Sequence, residues 1–420
     1  MSRNKTFSIA PSKDISRLLT QAKRGVLSAQ LTLANLYESD RGLFDIGLAA
    51  LWYLEAAQQG SAEAQARIGE MYLNGTGIAK NHGEAINWLR KAAGQNNADA
   101  LSSLAWCYRK GIKVRKSDKR AFSLYHKAAK LDHAGAGYNL GYMYANGYGV
   151  KQNISKTLKW YQLAAKQGNM KAQLGLGLMY ARGKGVARND IEAVEWYRKA
   201  AEQGYAKAQY NLAFMYAEGR GVPQDDVQAA KWQRQAALQG FARAQYNLGL
   251  CYLHGRGVEQ DPSEALEWLL KVASKAYRKA QYQLGKIYAG GIGVPADNRE
   301  AISWFRLAAN QGYAKAQYRL GRLFAEGVGV EQDDAVACNW YLRASQAGYV
   351  PAQYHLGIMY TKGRGVPKDY VRAYSWLFVA AASRAAHTKQ MLKKIGRRLN
   401  REQLAEAIKL GERLSLEYGK

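Results

Sequence analysis

Apolar and polar positions recur along this chain with one long period. Tryptophan stands at 52, 88, 160, 196, 232, 268, 304, 340 and 376. The spacing is 36 residues throughout, apart from one gap of twice that length in which Leu124 fills the vacant place. Trp106 lies outside the series. A period this strict means some ten copies of one supersecondary unit. Residues 205–240, YAKAQYNLAFMYAEGRGVPQDDVQAAKWQRQAALQG, show the unit. Ala208, Leu212, Met215 and Tyr216 fall at helical spacing and predict a first amphipathic helix. Gly219-Arg220-Gly221-Val222 interrupts it, because glycine admits turn dihedrals that other residues avoid. Ala229, Trp232 and Ala236 predict a second helix, which Gly240 ends.

Seven residues before each Trp-register position stand Asp45, Asn81, Ser117, Asn153, Asn189, Asp225, Asp261, Asp297, Asp333 and Asp369. All ten are good N-cap residues, so these acids read as helix caps rather than catalysts. Asn81 with Glu84, Asn189 with Glu192 and Asp297 with Glu300 have the capping-box spacing. Three residues before the Trp register the chain holds alanine in nine copies, such as Ala49, Ala229 and Ala301, with Thr157 in the tenth. Alanine there lets helices approach closely, with the Trp expected in equivalent buried positions beside it. Such units stack, each pair burying its face on the next.

The ends depart from the pattern, as solenoid caps do. Residues 12–25 read as a lone helix ending at Gly25. The first copy replaces the Gly-x-Gly turn with Asp40-Arg41-Gly42-Leu43. Residues 384–420 read as two helices, with Asn400 and Gln403 spaced as a capping box. The domain expectation is therefore a capping helix over 1–25, a repeat array over 26–383 and capping helices over 384–420.

The formal net charge of +28 predicts attraction to anionic partners. Cys107, Cys251 and Cys338 are too few for a disulfide framework, and no CxxC or Cys/His cluster suggests zinc. The first residues lack a signal-peptide core, and no apolar run is long enough to span a membrane. The expectation is a soluble, reduced, cytoplasmic protein. The six His residues have no metal-binding spacing, and Cys107 and Cys251 share an apolar register with Met71 and Met143. The Gly-x-Gly turns lie between helices and never continue as a phosphate-binding motif. Neither cofactor nor metal nor small-molecule substrate is expected, and no enzymatic activity.

The unit A-x-A-Q-Y-x-L-G-x-x-Y-x-x-G-x-G-V, then D-x-x-x-A-x-x-W-Y-x-K-A-A-x-Q-G, resembles the Sel-like repeat family, the Sel-one branch of tetratricopeptide-type repeats. Residues 313–348 show it nearly intact, from Ala316-Gln317-Tyr318 through Asp333 and Trp340-Tyr341 to Ala347-Gly348. The resemblance covers roughly residues 26–383. It implies an all-α, right-handed α-solenoid of about ten repeats acting as a protein–protein scaffold or adaptor, most often bacterial, with no shared chemistry. The disulfide-bearing branch of the family has a Cys pattern that this chain lacks. Residues 94–135 are the poorest copy, with Gly111-Ile112-Lys113-Val114 at the turn, and predict a local irregularity.

The resemblance also implies that first helices line a concave face. Positions four apart, on one helix face, read Lys207/Asn211, Arg243/Asn247, Lys279/Gln283 and Lys315/Arg319. Lys286 and Arg322 lie three residues further on, and Tyr210, Tyr246, Tyr282 and Tyr318 run alongside. This basic, hydrogen-bonding strip is similar in residue type to clamps that hold a peptide's terminal carboxylate. The expected partner is a protein with an acidic segment or C-terminus. The alternative is nucleic acid, held without base-specific readout by the net positive charge. A second basic cluster, Lys389, Lys393, Lys394, Arg397, Arg398 and Arg401, reads as the solvated face of a capping helix.

Overall fold

The computed structural model describes residues 13–39, 43–381 and 386–419. The expected turn at 40–42 and the expected boundary at 383/384 lie outside the described residues, as do residues 1–12. Among the described residues every regular element is helical.

The chain divides into two compact units, at Ala208/Gln209. In the first, α1 (Lys13–Lys23) precedes the pairs α2 (Leu27–Ser39) with α3 (Ile46–Gln58) and α4 (Ala62–Asn74) with α5 (His82–Gly94). Next come α6 (Ala98–Lys110) with α7 (Asp118–Lys130), α8 (Ala134–Asn146) with α9 (Ile154–Lys166), and α10 (Met170–Arg182) with α11 (Asp190–Glu202). The division falls inside α12 (Ala206–Glu218), whose partner is α13 (Asp226–Leu238). The second unit continues with α14 (Ala242–His254) and α15 (Pro262–Ala273), then α16 (Arg278–Gly290) and α17 (Asn298–Asn310). It ends with α18 (Ala314–Glu326) and α19 (Asp334–Gln346), α20 (Val350–Lys362) and α21 (Tyr370–Ala381), α22 (Ala386–Gly396) and α23 (Arg401–Tyr418).

Local chemistry sets the boundaries. All ten expected cap residues accept a hydrogen bond from a backbone N–H in the first turn of a second helix. Asn400 and Gln403 complete a reciprocal capping box at α23. The second glycine of each turn packs on the preceding repeat. A Cβ at Gly257 would lie 1.8 Å from the Asp226 carbonyl oxygen, and one at Gly365 would lie 2.0 Å from that of Asp334. In the poorest copy Lys113 takes this place and itself adopts a left-handed conformation, φ +50°. The turn forms, but with a residue for which that conformation costs energy.

The paired helices meet at a glycine. Gly141 on α8 faces Tyr161 on α9, Gly177 faces Tyr197, Gly285 faces Phe305 and Gly321 faces Tyr341. The facing position is fully buried in nearly every pair: Tyr53, Leu89, Tyr125, Leu269, Phe305, Tyr341 and Leu377 occupy it. It follows the tryptophan by one residue, which corrects the expectation that the Trp forms the deep core. Trp88 and Trp376 are buried, but Trp52, Trp160, Trp196, Trp232, Trp268, Trp304 and Trp340 are half-buried. Several of them carry a cation one turn later on the ring. Lys91 sits 4.2 Å from the Trp88 centroid, Lys199 4.4 Å from Trp196 and Arg343 4.9 Å from Trp340. In these pairs the Trp seals the edge with its outer face under a charged stem.

Successive pairs are joined by glutamines. In the first helices other than α6 and α8, which hold Leu101 and Gly137 at this register, a Gln near the helix start is buried, and it donates to a carbonyl near the end of the preceding helix, as Gln65 does to Ala57 O at 3.2 Å and Gln281 to Ala273 O at 3.2 Å. Its own Oε1 accepts from a Gln thirty residues later. Gln95 donates to Gln65 at 2.9 Å, Gln203 to Gln173 at 2.8 Å and Gln311 to Gln281 at 2.6 Å. Where Lys275 and Ala347 replace the donor, Oε1 of Gln245 and of Gln317 is buried without a hydrogen-bond partner.

Two measurements check this account. At an uncrowded helical position Gly→Ala adds up to about 1 kcal/mol of stability. A Cβ at Gly321 meets Tyr341 at 2.7 Å, so Gly321→Ala should instead destabilise by about 1–3 kcal/mol in urea unfolding. Gly94→Ala, with nothing within 4 Å, serves as the control and should not destabilise. Ala347 shares the C-cap conformation of Gln311 (φ −80°, ψ 8° against −86°, 13°). Ala347→Gln should therefore restore the missing rung and raise stability by about 1 kcal/mol.

Candidate partner-binding surface

A cavity that gathers five of the fourteen expected residues lies wholly within the second unit and has a volume of about 740 Å³. Tyr210 enters it from α12, and Arg243, Tyr246 and Asn247 from α14. The start of α16 adds Ala276, Tyr277, Arg278 and Lys279, and Gln311 closes the wall from the end of α17. None of these nine residues is acidic.

The aromatic wall is a ladder built across repeats. Each Tyr of the first-helix series leans on the aromatic residue that precedes the next first helix: Tyr210 on Phe241 at 5.4 Å, Tyr246 on Tyr277 at 5.5 Å, Tyr282 on Tyr313 at 5.3 Å and Tyr318 on Tyr349 at 5.3 Å. These tyrosines therefore pack between repeats, and Tyr210 and Tyr246 also line the cavity. In the first unit the equivalent pre-helix positions hold Ser61, Asn97, His133 and Asn169, and each caps its helix with its side chain. Phe241, Tyr277, Tyr313 and Tyr349 make no such bond. The second unit thus exchanges four caps for four aromatic rings.

Cations in the two units are handled differently. In the first, Arg67 is held by Glu38 and Glu70, and His133 lies 3.2 Å from Asp99. Burial and Glu38 hold the Tyr53 hydroxyl protonated well above the usual range. In the second, Arg278 donates to the Gln311 carbonyl at 3.4 Å and lies over the Tyr313 ring. Arg243 and Lys279 are exposed, and among the described residues neither has a carboxylate within ion-pair distance. Burial and the surrounding tyrosines push the Tyr246 hydroxyl up to about 12, so it donates rather than ionises at neutral pH.

The remaining strip residues are dispersed. Lys207 lies in the first turn of α12, on the first-unit side of the division, and Asn211 is half-buried one turn later. Gln283 is buried, whereas Lys286 and Lys315 are exposed and Arg319 half-buried. Arg322 is bound by Glu326 at 2.9 Å. His355 continues the Asn211 register, half-buried and stacked on Tyr341 at 5.4 Å. The side chains of Cys107 and Cys338 are buried, and burial pushes both thiols up to about 11.

The Sel1 repeat model matches ten times in tandem, from residues 27–61 to 350–383. The chain belongs to the Sel1 repeat family. It is similar to the protective antigen c5321 of uropathogenic Escherichia coli strains, which displays an SLR fold, at 30% identity over 96% of this chain and 95% of that one, TM-score 0.59. It is likewise similar to a Sel1 repeat protein from Oxalobacter formigenes, at 36% identity over 75% of this chain and 92% of that one, TM-score 0.61. No curated protein matches the chain. Sel1 repeats generally serve as protein-interaction scaffolds. Among the described residues no helix is long and apolar enough to cross a membrane.

Sequence reasoning missed Tyr277, Arg278 and Gln311. The aromatic series at 241, 277, 313 and 349 repeats every 36 residues and was a usable signal. Ala276 is a further departure, since it holds φ +59° where the other second-unit repeats place glycine, such as Gly240 and Gly312. Ala276→Gly should raise the unfolding free energy by about 1 kcal/mol in urea titration, because the left-handed conformation costs alanine about that much.

Proposed function

We propose that the protein is a non-enzymatic scaffold whose second unit binds an acidic segment or C-terminus of a protein partner. The observation that supports this most is a cavity lined by Arg243, Arg278 and Lys279 together with tyrosine rings and Asn247, and by no carboxylate. None of these cations is paired with a carboxylate on that wall, so an anionic ligand gains charge-assisted hydrogen bonds there without displacing an existing ion pair. Tyrosine supplies flat apolar contact at low entropic cost. The low cysteine content supports a reducing, cytoplasmic setting.

The test uses a labelled glutamate-rich peptide in fluorescence anisotropy. Hydrogen bonds to charged groups contribute roughly 1.5–3 kcal/mol each, so Arg243→Glu with Lys279→Glu should weaken binding about 100-fold or more. Reversal at Lys393, Lys394 and Arg397 should leave it unchanged, with circular dichroism confirming the fold of both variants. If the second variant loses the peptide and the first keeps it, the C-terminal cluster is the contact instead. Tight, length-dependent binding of oligonucleotides near physiological salt would favour nucleic acid, whose non-specific complexes weaken steeply as salt rises.

A further inference from the structure

The cavity of the second unit offers more donors than a carboxylate can use. Arg243 and Arg278 bring guanidinium groups, Lys279 an ammonium, Asn247 an amide, and Tyr246 and Tyr277 hydroxyls. A carboxylate presents two oxygens and one charge. A phosphomonoester presents three terminal oxygens and about −1.5 to −2 charges at neutral pH, and arginine matches its geometry with paired donors.

The donors are also held in place. Arg278 is anchored by the Gln311 carbonyl at 3.4 Å and by the Tyr313 ring. The Tyr277 ring packs at a tilt against Tyr246, and both Arg243 and Arg278 act electrostatically on its hydroxyl. Some arginines of this unit are neutralised within the fold, as Arg322 is by Glu326 and Arg364 by Asp334. In the cavity three cations converge with no carboxylate in the lining, so its positive charge is open to an anion.

Resting on the reading above, we infer that the anionic anchor of the partner segment is a phosphorylated side chain, its phosphate seated among Arg243, Arg278 and Lys279 with the Tyr246 hydroxyl donating to it. The Tyr210 and Tyr277 rings then flank the adjoining residue.

The experiment uses the full chain and three labelled Gly-Ser peptides that carry one phosphoserine, one glutamate or one serine, with adenosine monophosphate as competitor. The phosphoserine peptide should bind at least tenfold more tightly than the glutamate peptide. Its affinity should rise several-fold between pH 5 and pH 7, following the second phosphate ionisation near pH 6. Tyr246→Phe should weaken the phosphoserine peptide about three- to tenfold and change the glutamate peptide by less than twofold. Arg243→Gln with Lys279→Gln should abolish the phosphate preference. Equal affinity for phosphoserine and glutamate, both lost on reversal at Arg243 and Lys279, would overturn this inference and leave the acidic-segment reading standing. Failure of the three peptides and of the glutamate-rich peptide to bind at the cavity would overturn both. Adenosine monophosphate binding more tightly than the phosphoserine peptide would replace the phosphorylated partner with a free nucleotide.

Discussion

In seven of the ten repeats a glycine on the first helix lies directly against the large side chain facing it on the second. Gly141 against Tyr161 and Gly321 against Tyr341 leave no room for a Cβ at its ideal position. A glycine in a helix costs about 1 kcal/mol relative to alanine, so its recurrence at one register is a packing requirement, not a propensity choice. Two helices that touch backbone to ring have one rotation and one height at which they fit. Each repeat is thereby a rigid tile, and what remains is how the tiles join.

The joint is made of amides. Gln65, Gln173 and Gln281 each bond backwards to a helix end and accept from a glutamine in the following pair. An amide suits this role because it donates and accepts at once, so one side chain ties to a carbonyl at a helix end and passes the bond on. The ladder is polar but buried, and an incomplete rung leaves an acceptor dry, as at Gln317. Buried networks of this kind fix register more than they add strength.

Much of this was legible in the sequence because it is local. N-cap residues, turn glycines and the alanine three residues before the tryptophan act within one repeat and recur in all or nearly all of the ten copies. The tryptophan misled because its size drew the core to itself, while the deeper position varies among Tyr, Leu, Phe and Gln233 and shows no single letter. The amide ladder was missed since each rung joins two ordinary glutamines thirty residues apart. Arg243, Tyr246, Asn247 and Lys279 were found because one helix face could be read at a fixed period. Tyr277, Arg278 and Gln311 reach the same cavity from a helix start and a helix end in adjoining repeats, which a single-face reading does not visit.

The exchange of caps for rings in the second unit sets where the protein opens first. Side-chain capping typically stabilises a helix end by about 1 kcal/mol, and Phe241, Tyr277, Tyr313 and Tyr349 provide none. The first turns of α14, α16, α18 and α20 therefore fray more readily than those of α4, α6, α8 and α10, and the helix start at α16 carries Tyr277, which lines the cavity. Fraying at α16 loosens Arg278 from the Gln311 carbonyl that holds it. A ligand seated at such a helix start would order it, and part of its binding energy would appear as protection of those amides from exchange. Binding there and local folding of the helix start would then be one equilibrium.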